Sequence, residues 1–344
     1  MTTQLDFSVG LAKETTYGTP VTPTRFVESE AKLKYEIKTA QGRGLRPGKN
    51  VHRLNRHQAV HFEGSGDIDI DVPTRGFGFL LNALFGQVVN TLVPTTTPPL
   101  YQQNHVLQNA SDPVQSFTVQ EILPTLGGVN SHPHTFTGCV FDSMELSAKE
   151  GSILEAKFSL VARELQTAVA AAATSYPADD ALFTFVHGAI SLGGTLTEPD
   201  ATTIASLSGS PAANIADFSL SVKRNLDGDG WNLGGAGLRS RAPLYGVPEL
   251  SGKITAEYTD NVLRDAYLQQ SALALVLTFQ HNVAVSGAHT PTLQVVLPAI
   301  RLNGEVPTSD GGKAIKQSID FEAFDNGIAT QPIWVIYRTL DTTP

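Results

Sequence analysis

The chain has 344 residues, with 33 acidic against 24 basic side chains, a formal net charge of -9, 30 Gly, 20 Pro and a single cysteine, Cys139. An acidic chain without a long basic run lacks the electrostatic footprint of a nucleic-acid binder, and one cysteine excludes an intrachain disulfide and a Cys-built zinc cluster. No apolar run reaches the roughly 18 residues of a membrane span, and the Met-Thr-Thr-Gln-Leu-Asp start lacks a signal peptide's regions, so the expectation is a globular protein made and folded in a cytoplasm, without a membrane partner.

Along the chain the dominant period is two. The first strand expected is 33–37, followed by a Gly/Arg-rich stretch at 39–58. Residues 67–72 then alternate strictly, which puts Asp67, Asp69 and Asp71 on one face of a strand and Ile68, Ile70 and Val72 on the other. Phe77, Leu80, Leu81 and Leu84 have the spacing of one helical face, and Gly86 stops that helix. Residues 87–134 are extra length rich in Pro, Thr and Asn, with His132 and His134 in a loop around Pro133. Strand patterns return at 140–146, 154–161, 218–222, 254–258, 293–300 and 315–321. A second short helix is expected over Val262, Ala266, Tyr267 and Gln270, behind Thr259 or Asp260 as N-cap. A charged share of 17% lies below the average of roughly 25%. With many Gly and Pro it suits β-structure partly covered by neighbours.

The second half of this order repeats the first. Ala31-Lys-Leu-Lys-Tyr-Glu-Ile-Lys38 lines up with Ala216-Asp-Phe-Ser-Leu-Ser-Val-Lys223. Glu63-Gly-Ser-Gly-Asp-Ile68 lines up with Glu249-Leu-Ser-Gly-Lys-Ile254, and 151–160 with 312–321. The alanine run 168–173 and Pro177 mark the junction, giving domains at 1–175 and 176–344. Each unit is a sheet with one helix and long loops, the loop at 225–248 matching that at 39–58. Such a sheet leaves edges open to other chains, and a closed ring removes them.

Sites for chemistry are few. Asp67, Asp69 and Asp71 are about 7 Å apart at each step along a strand face, too far to share an ion without other ligands, so a solvated or channel-facing surface is the reading. Asn225-Leu-Asp227-Gly-Asp229-Gly230 opens like a calcium loop, but its twelfth position is Ala236 and a flanking helix pair is missing, so a Gly-rich turn is expected. The nine His lack zinc spacing, Cys139 lies in a strand pattern as a small hydrophobe, and no nucleophile elbow or phosphate loop occurs. The expectation is no catalytic set, no metal and no cofactor.

Three stretches resemble the tail tube (major tail) proteins of phages with long, non-contractile tails, the siphophage tail tube family. They are Gly10-Leu-Ala-Lys-Glu-Thr-Thr-Tyr-Gly-Thr-Pro-Val-Thr-Pro-Thr-Arg-Phe26, Gly44-Leu-Arg-Pro-Gly-Lys49 and Gly76-Phe-Gly-Phe-Leu-Leu-Asn-Ala-Leu-Phe-Gly86. The resemblance implies a mainly β fold with a few short helices. With the repeat, it gives two tandem tube-like β-sandwich or barrel domains, each with a flanking helix. It implies a structural subunit of the virion that polymerises as stacked rings around a channel conducting DNA during ejection, with transient DNA passage and no specific binding. Other tail proteins (tape measure, tail terminator, tail tip) are the further partners. Two domains per chain give a trimeric, pseudo-hexameric ring, with a hexamer as the alternative. Asp67, Asp69 and Asp71 become candidate channel residues. The N-terminal arm through Phe26 and the two loops become candidate contacts between subunits or rings, through Tyr17, Arg25, Phe26, Arg43, Leu45, Arg46, Arg53, Arg56, Trp231, Arg239 and Arg241. A tail-tip or baseplate ring protein of the same fold is the alternative function, ahead of a phage glycan hydrolase or an adhesin.

Overall fold

The computed structural model describes residues 7–124, 131–208, 215–258, 261–287, 289–304, 306, 311–312 and 315–344. In chain order the strands of the first half are β1 (Ser8–Lys13), β2 (Arg25–Val27), β3 (Ser29–Gln41), β4 (His57–Asp71), β5 (Gly86–Leu92), β6 (Tyr101–Leu107), β7 (Phe117–Pro124), β8 (Ser131–Ala148), β9 (Glu155–Ala162) and β10 (Glu164–Gln166), with helix α1 (Phe77–Phe85) after β4. The second half has β11 (Gly188–Leu192), β12 (Thr195–Thr197), β13 (Ser206–Ser208), β14 (Ile215–Lys223), β15 (Glu249–Glu257), helix α2 (Val262–Gln269), β16 (Leu273–Gln280), β17 (Thr292–Asn303), β18 (Lys316–Ala323) and β19 (Trp334–Thr339). The fold is mainly β, and every strand pairing among the described residues is antiparallel.

A run of eight strands organises the molecule, in the order β3-β4-β9-β8-β14-β15-β18-β17. Each half contributes four strands connected in the same way, and β8 joins β14 edge to edge, from Ser143↔Lys223 to Ala148↔Phe218. The Ser-Gly pairs read from the sequence hold equivalent places. Gly66 sits between Leu33 and Leu160, and Gly252 between Leu220 and Phe321. A Cβ on Gly66 would lie 2.3 Å from the Lys32 carbonyl oxygen, and one on Gly252 2.3 Å from that of Ser219, so neither position admits a side chain. This register makes Leu33 equivalent to Leu220, two residues from the alignment of 31–38 with 216–223. A slip of one full pleat keeps every side chain on its face, which is why the alternation could not detect it.

One face of this run is the core. Ile68, Ile70, Leu146, Phe158, Leu160, Phe218, Leu220, Ile254, Ile319 and Phe321 all lie there, at most 5% exposed. The other layer consists of β1, β2, β7 and β10 around the start of β8, and of β11, β16, β19, β6 and β5 around the start of β17. Helix α1 is apolar all round, the mark of a buried helix, and only Asn82 escapes burial. Gly86, at φ +81°, ends it in the left-handed conformation, donating to the Asn82 carbonyl. An edge-to-face series of rings runs Phe77–Phe158–Phe141–Phe117–Phe79 with centroids 5.8, 6.1, 5.8 and 5.5 Å apart, tying α1 to β9, β8 and β7. Asn261 takes the N-cap position of α2; Thr259 and Asp260 lie outside the described residues.

Two expectations change. The N-terminal segment from Ser8 on is not a loose arm: β1 pairs with β7 and β2, and Val9 and Leu11 are fully buried. The extra length at 87–134 builds β5, β6, β7 and the start of β8. His132 and His134 lie in β8, opposite Leu123 and Glu121. Residues 1–6 and 125–130 are outside the described residues.

Candidate functional site

Alternation that buries one face of the eight-stranded run turns its polar residues to the other. That face is concave, and all eight strands line a groove of about 940 Å³. Its lining carries the carboxylates of Glu28, Glu30, Asp69, Asp71, Glu145, Glu155, Asp320 and Glu322 against the ammonium groups of Lys157 and Lys253. Serines fill the middle, with Ser147, Ser219, Ser221 and Ser251 from β8, β14 and β15. Cross-strand register interleaves the charges, with Glu30 opposite Asp69, Lys157 opposite Asp69 and Glu145, and Lys253 opposite Asp320.

Asp67 sits on the same face and accepts from Ser159 Oγ at 2.7 Å and from Lys157 Nζ at 3.0 Å. Partial burial pushes its carboxyl up, but the Ser159 and Lys157 hydrogen bonds outweigh that and hold it below the ordinary carboxylate value. Lys157 is raised in turn, first by its hydrogen bond to Asp67. Asp69 and Asp71 line the groove and Asp67 continues their face along β4, while the other lining carboxylates come from strands far away in sequence.

The loop residues named from the sequence separate into two groups. Arg43, Leu45, Arg46 and Arg56 are exposed at the tip of the β3–β4 hairpin, where Arg56 donates to the Arg43 carbonyl, and Arg53 is half-buried beside them. In residues 224–248, Trp231 and Arg239 are instead docked on the root of β4. Trp231 stacks on His61 with centroids 4.1 Å apart, and Arg239 lies 3.9 Å over the Trp231 ring. Arg239 is 4% exposed and pairs with Glu63 at 2.6 Å, so it has no free surface to offer a neighbour. Arg241 holds Asp227 at 2.6 Å, which occupies one carboxylate of the calcium-like stretch. Phe26 is buried, edge-on to Tyr176 at 6.0 Å. Arg25 donates to Thr343, and Tyr17 is half-buried near Arg163, its hydroxyl pushed well up chiefly by burial.

Sequence reasoning missed Glu14. Its buried carboxylate accepts from Gly18 N at 2.9 Å, Ser116 Oγ at 2.7 Å, Thr118 Oγ1 at 3.0 Å and Gly138 N at 2.8 Å, locking the 14–18 turn onto β7 and β8. A carboxylate inside the Gly10–Phe26 signature was the available signal. Among the described residues no group of three or more His, Cys, Asp or Glu is placed to hold a metal ion.

An all-antiparallel chain with an exposed loop, a concave acidic face and a long edge strand, β3, paired only to β4 among the described residues leaves an open edge to which another chain could add. A family model described as phage tail tube protein matches residues 6–323. The chain belongs to that family: it is a structural component of the phage virion, and a tube implies self-association and contact with other tail proteins. A search of curated proteins gives no match.

Proposed function

We propose that this chain closes into rings that stack into the tube of a long, non-contractile tail, and that the concave acidic face lines the channel through which DNA leaves. The observation that carries this reading is the groove: its carboxylates outnumber its lysines, and it runs across both halves. DNA carries one negative charge per roughly 1.7 Å of axis, and each cationic contact would add affinity through counterion release. A wall with Asp67, Asp69 and Asp71 at one end repels phosphates and lets the duplex slide.

Each half acts as one tube domain, with the boundary near residue 175, so three chains close a pseudo-six-fold ring. The edge of β3 in one copy joins the far end of the eight-stranded run in the next, as β14 joins β8 within a chain. Electron microscopy of the assembled protein tests this. Three chains per ring with Asp67, Asp69 and Asp71 on the inner wall is the expected result; six chains per ring, or these residues outside, would overturn the corresponding part. Isolated rings that never stack would favour a tail-tip role. Changing the three aspartates to Lys leaves tubes intact and slows DNA ejection, most at low salt.

A further inference from the structure

We propose that residues 42–56 of one copy dock on the root of β15 in the adjacent copy of the ring, with Arg53 on Glu249 and Leu45 on Val247. This repeats between chains the contact that residues 224–248 make within one, and it rests on the ring reading above.

The two loops are one motif used twice. Gly66 and Gly252 hold equivalent places in the sheet. Counting back from them without a gap, Gly42, Gly44, Leu45, Gly48 and Arg53 fall on Gly228, Gly230, Trp231, Gly234 and Arg239. The same count places His61 on Val247 and Glu63 on Glu249.

In the second half the motif is seated. Trp231 covers His61, Arg239 pairs with Glu63, and the Phe62 N–H donates to the Gly237 carbonyl at 2.9 Å. The seat belongs to the other half of the chain and is reached across the β8·β14 joint. Arg163, just beyond β9, supports it by donating to the Arg239 carbonyl at 2.8 Å.

In the first half the hydrogen bonds of the motif stay within its own hairpin. Leu45 is 66% exposed, and Arg53 has no ion pair among the described residues. The equivalent seat on the second half is bare as well. Val247 is 82% exposed, Glu249 is exposed without an ion pair among the described residues, and Phe324, just beyond β18, is 46% exposed.

Each bare surface offers what the other lacks. Arginine meets carboxylate in both contacts, and the stacked Trp231–His61 pair is replaced by an aliphatic pair, Leu45 and Val247. In a closed ring the first half of each copy follows the second half of its neighbour, just as second follows first within the chain. One operator therefore brings Arg53 over Glu249. Seating needs the exposed ladder Thr39↔Ala59 to Gln41↔His57 to open, beyond the register shift at Lys38/Thr39.

The test is a charge swap in the full-length chain, with ring closure read by sedimentation and microscopy, and the melting of the unassembled chain as control. R53E and E249R should each weaken closure by at least about tenfold, the R53E/E249R chain should close as the unaltered one does, and melting should not change. Single variants that close normally, or a double variant no better than the singles, would overturn the contact while leaving the tube reading intact. An unaltered chain that forms neither rings nor tubes would overturn the tube reading and this contact with it.

Discussion

Helices α1 and α2 follow equivalent strands, β4 and β15, yet one is sealed and the other lies at the surface. Strands β5 and β6 and the long β8 close over α1, and its sequence is apolar on every side. In α2, Leu263 and Ala266 face the core while Leu268 is 61% exposed. The two loops show the reverse contrast, with Trp231 and Arg239 of the second seated and Leu45 of the first exposed. The first half is thus padded around its helix and bare at its loop, and the second half the opposite. Strand order sets what the halves share; the thickness of covering sets which surfaces each leaves exposed.

The sharpest way to break this contrast is truncation in the helices. Leu81→Ala should cost about 2 to 5 kcal/mol in denaturant melts of the unassembled chain, from lost burial and the cavity left behind. Leu268→Ala should change stability by less than about 0.5 kcal/mol. Equal costs would mean that α2 is as deeply held as α1. The loops give the next effect. Arg239→Ala strands Glu63 and removes the cover of Trp231, and should cost about 2 to 3 kcal/mol. Arg53→Ala in the same melts should fall within about 0.5 kcal/mol of the unaltered chain.

A third effect comes from the strands added to the first half. Glu121 on β7 is buried beneath β3, where its carboxylate accepts from Leu33 N at 3.3 Å. Desolvation raises its pKa from 4.5 to about 7. The folded chain therefore holds a proton that the unfolded chain has released, and stability from this group falls as pH rises between those two values. Glu121→Gln keeps an acceptor without the charge. It should stabilise the chain by about 3 kcal/mol at a pH of about 8, the advantage nearly gone by a pH of about 4.5. A pH-independent gain would mean that packing, not ionisation, is responsible. The smallest effect is on the groove. Lys157→Met should cost under about 1 kcal/mol, less in high salt, and should move the Asp67 titration upward in carboxyl NMR.

The strands that alternate between a polar face and a core were legible in the sequence, as was α1 with its Gly86 stop. Strand β6, Tyr-Gln-Gln-Asn-His-Val-Leu, was not, because it buries polar side chains. Gln102 and Asn104 satisfy each other at 3.0 Å and donate to the Asp200 carbonyl at 2.9 and 2.7 Å, so a strand of the interior reads as a polar linker. In the candidate site, Asp67, Asp69 and Asp71 were visible because they are neighbours on one strand. Glu145, Asp320 and Glu322 join them only through pairings such as β8 with β14, between segments about 75 residues apart. The Arg53 loop read as a docking surface, but the seat for Arg239 could be found only once Glu63 lay beneath it.

The β8·β14 joint has a consequence for the kinetics of assembly. In the ring of three chains proposed above, every second joint between four-stranded units would form as the chain folds, at the high effective concentration of an intramolecular event. Only the alternate joints depend on how many subunits are present. Closure of such a ring would then be governed by one kind of encounter, that of a bare β3 edge and its loop with the far end of another copy. A peptide or variant that caps this single edge would stop ring closure without touching the joint already made.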